Sequence, residues 1–289
     1  MQAVVLGRTR RTAKKYFFAF LAGVFLLLTI IFVRYPNLPK VVVYKVFREY
    51  MRISMNWKTY SWQEIENEKF IIKYHMSDAD AARLVLETAE EVYRPVEKIL
   101  QYDFHGRIPI LIYPDTASLN RSFGWAADAS AMGVYWTGII RILSPNFWIY
   151  DDDKAATFKS DGPLAHEYAH FVVDYIAQGN YPRWLTEGIA QQVERSVTGY
   201  EMALNGKEEI YPLSEMDSRF DLLPNQSAAY RQSLFMVDYL TESFGEKAIS
   251  GILTELGKGA TLKGAFERVI GISVEEFERK FKEKKMQGA

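Results

Sequence analysis

The strongest hydrophobic pattern in the chain is an uncharged run near its beginning, residues 16–33, which five basic residues precede and Arg34 follows. Eighteen helical residues span about 27 Å, close to the roughly 30 Å hydrocarbon core of a bilayer. The run therefore predicts a transmembrane helix, and the basic residues before it predict a cytoplasmic N-terminus with the rest of the chain outside. A cleavable signal peptide is the alternative, but the run is long for one and no small-residue cleavage site follows it. We expect an uncleaved anchor in the cell membrane.

A second, mixed pattern follows a short linker that contains Pro36 and Pro39. Residues 41–53 combine apolar side chains with Lys and Arg. Such a segment can lie along the membrane surface as an amphipathic helix, or it can pack on the outer domain as a helix or strand. The pattern supports both interpretations equally.

From residue 68 onward, short apolar runs alternate with helical patterns and then give way to helices alone. The runs at 70–75 and 108–113 predict strands, and 132–143 predicts a hairpin or one long strand. Helical patterns cover 77–100, 116–123, 227–244, 247–256 and a last segment that a capping box opens at 273–276. This order predicts an α+β fold: a lobe of mixed sheet and helix, then a mostly helical lobe. The predicted division is 1–34 (basic N-terminus and membrane helix), 35–66 (juxtamembrane segment), 67–200 (first lobe with the active-site helices) and 201–289 (helical lobe).

The segment 162–177 carries the most specific chemistry. It contains His166-Glu167-x-x-His170 within almost continuous apolar residues, which predicts a buried helix. We expect Pro163 at its first position, Ser160 or Asp161 as its cap, and Gly179 at its end. Residues four apart share a helix face, so His166 and His170 can hold one metal ion, and Glu167 can reach a water on that ion. Two core histidines that only form local hydrogen bonds are the alternative.

A second helix follows after a short turn, over residues 183–194. A short turn makes the two helices antiparallel, so Glu187 can face the histidine pair. A catalytic zinc site has three protein ligands and one open position. His166, His170 and Glu187 supply such a set, and Gly188 permits a close helix approach. Asp174 and Gln191 are candidates for orienting the ligands.

The pair of motifs His-Glu-x-x-His and Trp-Leu-x-Glu-Gly-Ile-Ala resembles the gluzincin metallopeptidases, and most of all the bacterial peptidase-MA-like domains. The resemblance extends from about residue 67 to the C-terminus and implies a thermolysin-like catalytic domain. It implies that His166, His170 and Glu187 bind zinc and that Glu167 is the general base. The gap from His170 to Glu187 differs from the thermolysin and M1-aminopeptidase patterns, and the Gly-x-Met-Glu-Asn signature of the latter is absent. The sequence therefore gives no support for exopeptidase action and favours an endopeptidase.

Peptide hydrolysis also needs a donor for the negative charge that develops on the carbonyl oxygen. No histidine follows His170, so a downstream histidine cannot serve. Tyr230 and Arg231 are the best-placed substitutes, and the resemblance favours Tyr230. A core tyrosine in an amphipathic helix is the alternative.

Two functions follow from these residues. The first is a membrane-anchored zinc metallopeptidase that acts on peptide or protein substrates. The second is an inactive anchored binding or scaffold module with a structural metal site. An intramembrane protease is excluded, because the motif lies more than 100 residues beyond the predicted span.

The amino-acid composition limits which metal sites and binding partners the chain can have. The chain has no cysteine, which excludes disulfides and thiolate metal sites. The first 34 residues hold six of the 35 basic residues and none of the 36 acidic ones, so the remainder carries a net charge of −7. Such an acidic outer domain does not suggest nucleic-acid binding.

Overall fold

The computed structural model describes the backbone of residues 2–124, 131–203 and 209–287. The strands are β1 (Gln63–Glu66), β2 (Phe70–Tyr74), β3 (Ile108–Tyr113), β4 (Gly133–Trp136) and β5 (Ile139–Leu143). The helices are α1 (Gln2–Arg34), α2 (Leu38–Lys58), α3 (Ala79–Leu100), α4 (Thr116–Phe123), α5 (Pro145–Trp148), α6 (Lys154–Asp161), α7 (Leu164–Ala177), α8 (Arg183–Thr198), α9 (Leu213–Ser218), α10 (Gln226–Phe244), α11 (Lys247–Gly257), α12 (Leu262–Ile270) and α13 (Val274–Gln287).

The five strands form one mixed sheet in the order β1-β2-β3-β5-β4. The central pairs β2–β3 and β3–β5 are parallel, and the two outer strands are antiparallel to their neighbours. β3 is buried at every position, as an inner strand must be. Pro109 is tolerated there because it stands at the start of the pairing, opposite Ile71. The predicted hairpin is present, and β4 is an edge strand.

The core lies between this sheet and the helices that follow it. α3 packs on the sheet and on α7, α7 packs on α8, and α8 packs on α10. α7 is the central helix, buried at every position except His166 and Ile176. A mixed sheet followed by helices is the α+β architecture that the sequence predicted.

Local details of several predicted helices differ. α3 continues as one helix through Pro95. Ser160 and Asp161 belong to α6 and do not cap α7, whose first turn follows Pro163 directly. α7 ends one residue before its expected stop, because Gln178 already adopts the left-handed conformation with φ 56°.

The apolar N-terminal helix is present as α1. Its segment Tyr16–Arg34 has a mean hydropathy of 2.7 and is not buried against the rest of the protein. Length and composition suit a membrane span, and a signal sequence near an N-terminus has the same properties.

The segment after it is a helix, α2, and one of its faces packs on the domain. Val41, Arg48 and Met55 on this face are buried. Arg48 forms a buried ion pair with Asp174 of α7 at 2.9 Å, and its guanidinium lies 3.8 Å from the centre of the Tyr175 ring. Of the two interpretations of residues 41–53, packing on the outer domain is therefore correct for this face.

Candidate metal centre

The two predicted ligand helices meet as an antiparallel pair. α7 presents His166 and His170 one turn apart, and the turn at residues 178–182 leads back into α8. Glu187 lies one turn inside α8 and is only 2% exposed. Gly188 is needed for packing, but against α10, because a Cβ there would lie 2.2 Å from the Ser233 carbonyl oxygen.

Three ligand-type atoms converge between these helices. His166 Nε2 and His170 Nε2 are 3.1 Å apart. Glu187 Oε2 lies 3.4 Å from the first and 3.5 Å from the second. Zinc–nitrogen bonds of about 2.0–2.1 Å in tetrahedral geometry place two ligand atoms about 3.3 Å apart, so this triangle has the size of one tetrahedral face.

The donor chemistry also fits a cation. Glu187 Oε2 is buried and accepts no hydrogen bond from any residue the structure describes. A buried carboxylate oxygen facing two imidazole nitrogens requires a proton or a cation between them. Two nitrogens and one oxygen form a ligand set typical of zinc. His166, His170 and Glu187 are therefore suited to hold it.

The far side of each ligand is also fixed. His166 Nδ1 lies 3.0 Å from Glu194 Oε2, and because a carboxylate only accepts, this contact places a proton on Nδ1 and leaves Nε2 as the atom that a metal can bind. His170 Nδ1 lies 2.6 Å from the Thr186 hydroxyl. Arg183 Nε lies 3.0 Å from Glu187 Oε1. Such outer contacts orient metal ligands.

The two predicted orienting residues do not have that role. Asp174 accepts hydrogen bonds from Tyr135 and Tyr181 and pairs with Arg48, so it faces α2 and not His170. Gln191 donates to the backbone carbonyls of Glu187 and Tyr230, and so joins α8 to α10.

Glu167 lies beside the triangle and is held by the edge strand. Its Oε2 accepts a hydrogen bond from the Tyr135 backbone N–H at 2.5 Å. A Cβ at Gly133 would lie 2.8 Å from the Glu167 Cγ, so glycine is required there. Burial raises the pKa of Glu167 above its ordinary value, against the opposing effect of the two histidines. A raised pKa suits a carboxylate that accepts a proton and later returns it.

The ligand groups are electrostatically coupled. Burial works against charge on Glu187, but His170, His166 and Arg183 outweigh it and hold the pKa of Glu187 well below its usual range. Burial likewise lowers the pKa of His166, but Glu187 and Glu194 outweigh it, so the pKa of His166 is raised. A metal ion and a proton compete for the same Nε2 atom.

The triangle lies in a cleft between the edge of the sheet and the helices. Residues of α2, α4, β4, α7, α8 and α10 line it. Tyr230 is on its wall, with its hydroxyl 3.5 Å from Arg183 Nη2 and its pKa raised to about 12 by burial and Glu187. Arg231 lines a different hollow, beside Phe235 and Lys285.

Arg183, Thr186 and Glu194 are site residues that the sequence analysis missed. Glu194 follows Glu187 by two helical turns, so helix periodicity could have placed it on the same face. Arg183 precedes Glu187 by four residues on α8, so the i,i+4 spacing could have predicted this ion pair. Nothing local in the sequence marks Thr186, because its partner His170 is on α7.

These features define a metallopeptidase-like module, and comparison with known proteins places it in a family. The profile of the Peptidase MA superfamily matches residues 107–286, which is more than half of the chain. The chain therefore belongs to that superfamily, and the resemblance noted from the two motifs is confirmed.

Individual relatives are distant. The chain is 23% identical over 225 residues to the uncharacterized protein YhcO of Bacillus subtilis (strain 168), over 74% of this chain and 68% of that protein. Legionella pneumophila aminopeptidase A, solved in complex with aspartic acid, superposes with a TM-score of 0.47 at 12% identity. That match covers 75% of this chain but only 27% of the aminopeptidase, so it carries no conclusion about substrate.

Proposed function

We propose that the protein is a membrane-anchored, zinc-dependent endopeptidase. The observation that carries this proposal is the triangle of His166, His170 and Glu187 donor atoms at 3.1–3.5 Å, with Glu167 beside it in an open cleft. A structural metal site has no use for a buried carboxylate next to its ligands, which argues against the inactive binding module.

The roles of the residues follow from their positions. Bound zinc would lower the pKa of a coordinated water and polarise the scissile carbonyl. Glu167, fixed by the Tyr135 N–H at one oxygen, takes a proton from the attacking water and passes it to the leaving amine. Tyr230 and Arg183 line the same wall and are the donors proposed for the charge that develops on the carbonyl oxygen.

The edge strand supports an endopeptidase. Within the described ranges, β4 pairs only with β5, and its residues line the cleft beside Glu167. An extended peptide can add to such an edge through main-chain hydrogen bonds on both sides of the scissile bond. The proposed orientation follows from the charges around α1, with the N-terminus in the cytoplasm and the catalytic domain outside.

The test uses the full-length protein in detergent with labelled casein as substrate. We expect Glu167→Gln to keep its zinc and lose at least about a hundredfold of its hydrolysis rate, because general acid–base catalysis contributes roughly 10²–10⁴-fold. His166→Ala and Glu187→Ala should lose zinc as well as activity. Glu87→Gln, at an exposed position of α3, is the matched control and should change neither.

A chelator should stop hydrolysis, and added zinc should restore it. This result would distinguish a zinc peptidase from an inactive binding module. Zinc content without hydrolysis in the wild-type protein, or undiminished hydrolysis by Glu167→Gln, would refute the proposal.

A further inference from the structure

The junction between α1 and α2 is attached to the folded domain. The Asn37 backbone N–H donates to the Gly259 carbonyl at 2.9 Å, and its side-chain amide donates to Asn180 at 3.1 Å. Leu38 is so close to Gly259 that a Cβ there would lie 2.4 Å from the Leu38 nitrogen. Only three residues separate the apolar helix from α2. The domain is therefore held at the end of the proposed span and does not hang from a flexible tether.

The outward face of α2 is apolar. The exposed side chains that form this apolar stripe are Val42, Val43, Val46, Tyr50, Ile53 and Trp57. At 100° per residue all six fall within one sector about 100° wide, opposite the face that carries Arg48. Val46 is 68% and Trp57 78% exposed. A contiguous apolar face of this kind marks an interaction surface.

The charges beside the stripe suit a lipid surface. Between Leu38 and Lys58 the chain has five basic residues and one acidic one, whereas residues 59–289 have 24 basic and 35 acidic ones. Lys45 and Lys58 flank the stripe and are exposed. Tyr and Trp within an apolar face that Lys borders are typical of helices in the headgroup region.

The same helix forms part of the cleft wall. Met51 and Lys58 line the cleft, and they lie about a third of a turn from the apolar stripe. Phe47 contacts Trp136 of the edge strand, with ring centres 6.1 Å apart. Whatever surface covers the stripe therefore borders the rim of the cleft.

We propose that α2 lies in the headgroup layer of the bilayer through its apolar stripe, and that it holds the cleft at the membrane surface for peptide segments close to the bilayer. The inference rests on the membrane anchoring proposed above. A bilayer is the occupant that the observations favour, because α2 begins three residues after the span and carries the basic charge of an otherwise acidic domain.

The first arm of the test measures depth. Because the chain has no cysteine, single spin labels can be placed at Val46→Cys and Ile53→Cys in the stripe, and at Lys45→Cys and Asn56→Cys on its exposed polar flank. The full chain is placed in nanodiscs of equal parts phosphatidylcholine and phosphatidylglycerol. We expect the stripe labels to collide with oxygen more than with a water-soluble nickel complex, and the flank labels to do the reverse.

Other results of this arm would overturn the proposal. Stripe labels as accessible to nickel as the flank labels would do so, and so would spin–spin broadening between stripe labels of two copies, which would identify a second chain as the occupant. Leu26→Cys, within α1, is the reference for anchoring. A water-exposed label there would refute the span itself.

The second arm measures substrate preference in phosphatidylcholine nanodiscs. One casein-derived quenched-fluorescence peptide is used free or with a palmitoyl chain. We expect the lipidated form to be cleaved about ten- to a hundredfold faster at equal concentration. This gain should fall severalfold in Val46→Ser/Ile53→Ser and persist in Asn56→Ser/Glu87→Ser, whose exposed positions lie outside the stripe. An equal gain in both double variants would overturn the proposed substrate class. If neither peptide were cleaved, only the peptidase function would be refuted, because the depth measurement does not depend on activity.

Discussion

At the scale of single residues, the imidazole of His166 is held at both of its nitrogens. Nε2 faces the proposed metal position, and Nδ1 lies 3.0 Å from Glu194. The carboxylate fixes the tautomer and the ring orientation, and it increases the basicity of Nε2. For the proposed zinc site, we therefore expect Glu194 to contribute to metal affinity without touching the ion.

Glu194→Gln tests this role. An amide cannot supply the negative charge, and its NH₂ group can face Nδ1 in place of an acceptor. We expect zinc affinity to fall by about ten- to a hundredfold, with the fold intact. Competition with a chromophoric chelator measures the dissociation constant. Glu201→Gln, at an exposed position just after α8, is the control, and an affinity equal to the wild type in Glu194→Gln would contradict the assignment.

Spacing along one helix predicted that His166 and His170 share a face, and the short turn before the next helix, together with the family resemblance, predicted that Glu187 faces them. The structure brings the donor atoms of these three residues together. Spacing gave the wrong role for Asp174, which was a candidate for orienting a ligand histidine. Four residues after His170 is the correct face of the helix, but the partner that claims this carboxylate is Arg48, which is 126 residues away in the chain. A local pattern carries no information about which distant element covers a given face.

At the scale of secondary-structure elements, local sequence patterns predicted the strands and helices but not the pairing between distant segments. The strands at 70–75 and 108–113 and the hairpin agree with β2, β3 and β4–β5, because alternation and turn residues are local signals. The short strand β1, the order of the sheet and the position of β4 at its edge depend on pairing between distant segments. The sequence analysis also left open whether α2 is a helix or a strand. Apolar side chains occur both in the exposed stripe of α2 and on its buried face, and this obscures the helical period of 3.6 residues.

The contact between α2 and α7 gives a prediction at this scale. Arg48 compensates the buried carboxylate of Asp174, and Asp174 in turn accepts from the Tyr135 hydroxyl on the strand that holds Glu167. Arg48→Met leaves a buried charge without its counter-ion, which costs about 3–5 kcal/mol. We expect a lower free energy of unfolding by about that amount in denaturant titrations, together with a lower kcat/KM.

The matched variants for this prediction are in the same helix and the same pair. Lys45→Met, at an exposed position of α2, should leave stability unchanged within about 0.5 kcal/mol. The double variant Arg48→Met/Asp174→Asn removes the buried charge and should recover part of the loss. If Arg48→Met were as stable as Lys45→Met, the ion pair would have no structural role.

At the scale of the whole molecule, the cleft is assembled from segments that are far apart in sequence. Its walls come from α2, from the hairpin edge, from the two ligand helices and from α10. The hairpin turn at Thr137 and Gly138, with φ of 47° and 81°, packs on α2, and a Cβ at Gly138 would lie 3.0 Å from the Arg48 Cγ. The helix α2, which follows the proposed span, is thus part of the structure that forms the cleft around His166, His170 and Glu187.

Two truncations separate the proposed anchor α1 from the domain that carries the candidate metal centre. A chain that starts at residue 35 keeps α2 and loses α1, whose segment Tyr16–Arg34 is not buried against the domain. We expect it to bind zinc and to unfold at nearly the temperature of the full-length protein in mild detergent, which covers the apolar stripe. A chain that starts at residue 59 loses the partner of Asp174 and the buried contacts of Val41 and Met55.

For this shorter chain we expect a melting temperature lower by more than about 10 °C, because the ion-pair term alone is worth about 3–5 kcal/mol and each kcal/mol shifts a domain of this size by about 2–4 °C. Calorimetry measures both chains. Asp174→Asn in the shorter chain should recover part of the shift, because it removes the buried charge but not the lost packing. Equal melting temperatures for the two truncations would mean that the contacts of α2 do not stabilise the domain, and this would contradict the proposed coupling between α2 and the cleft.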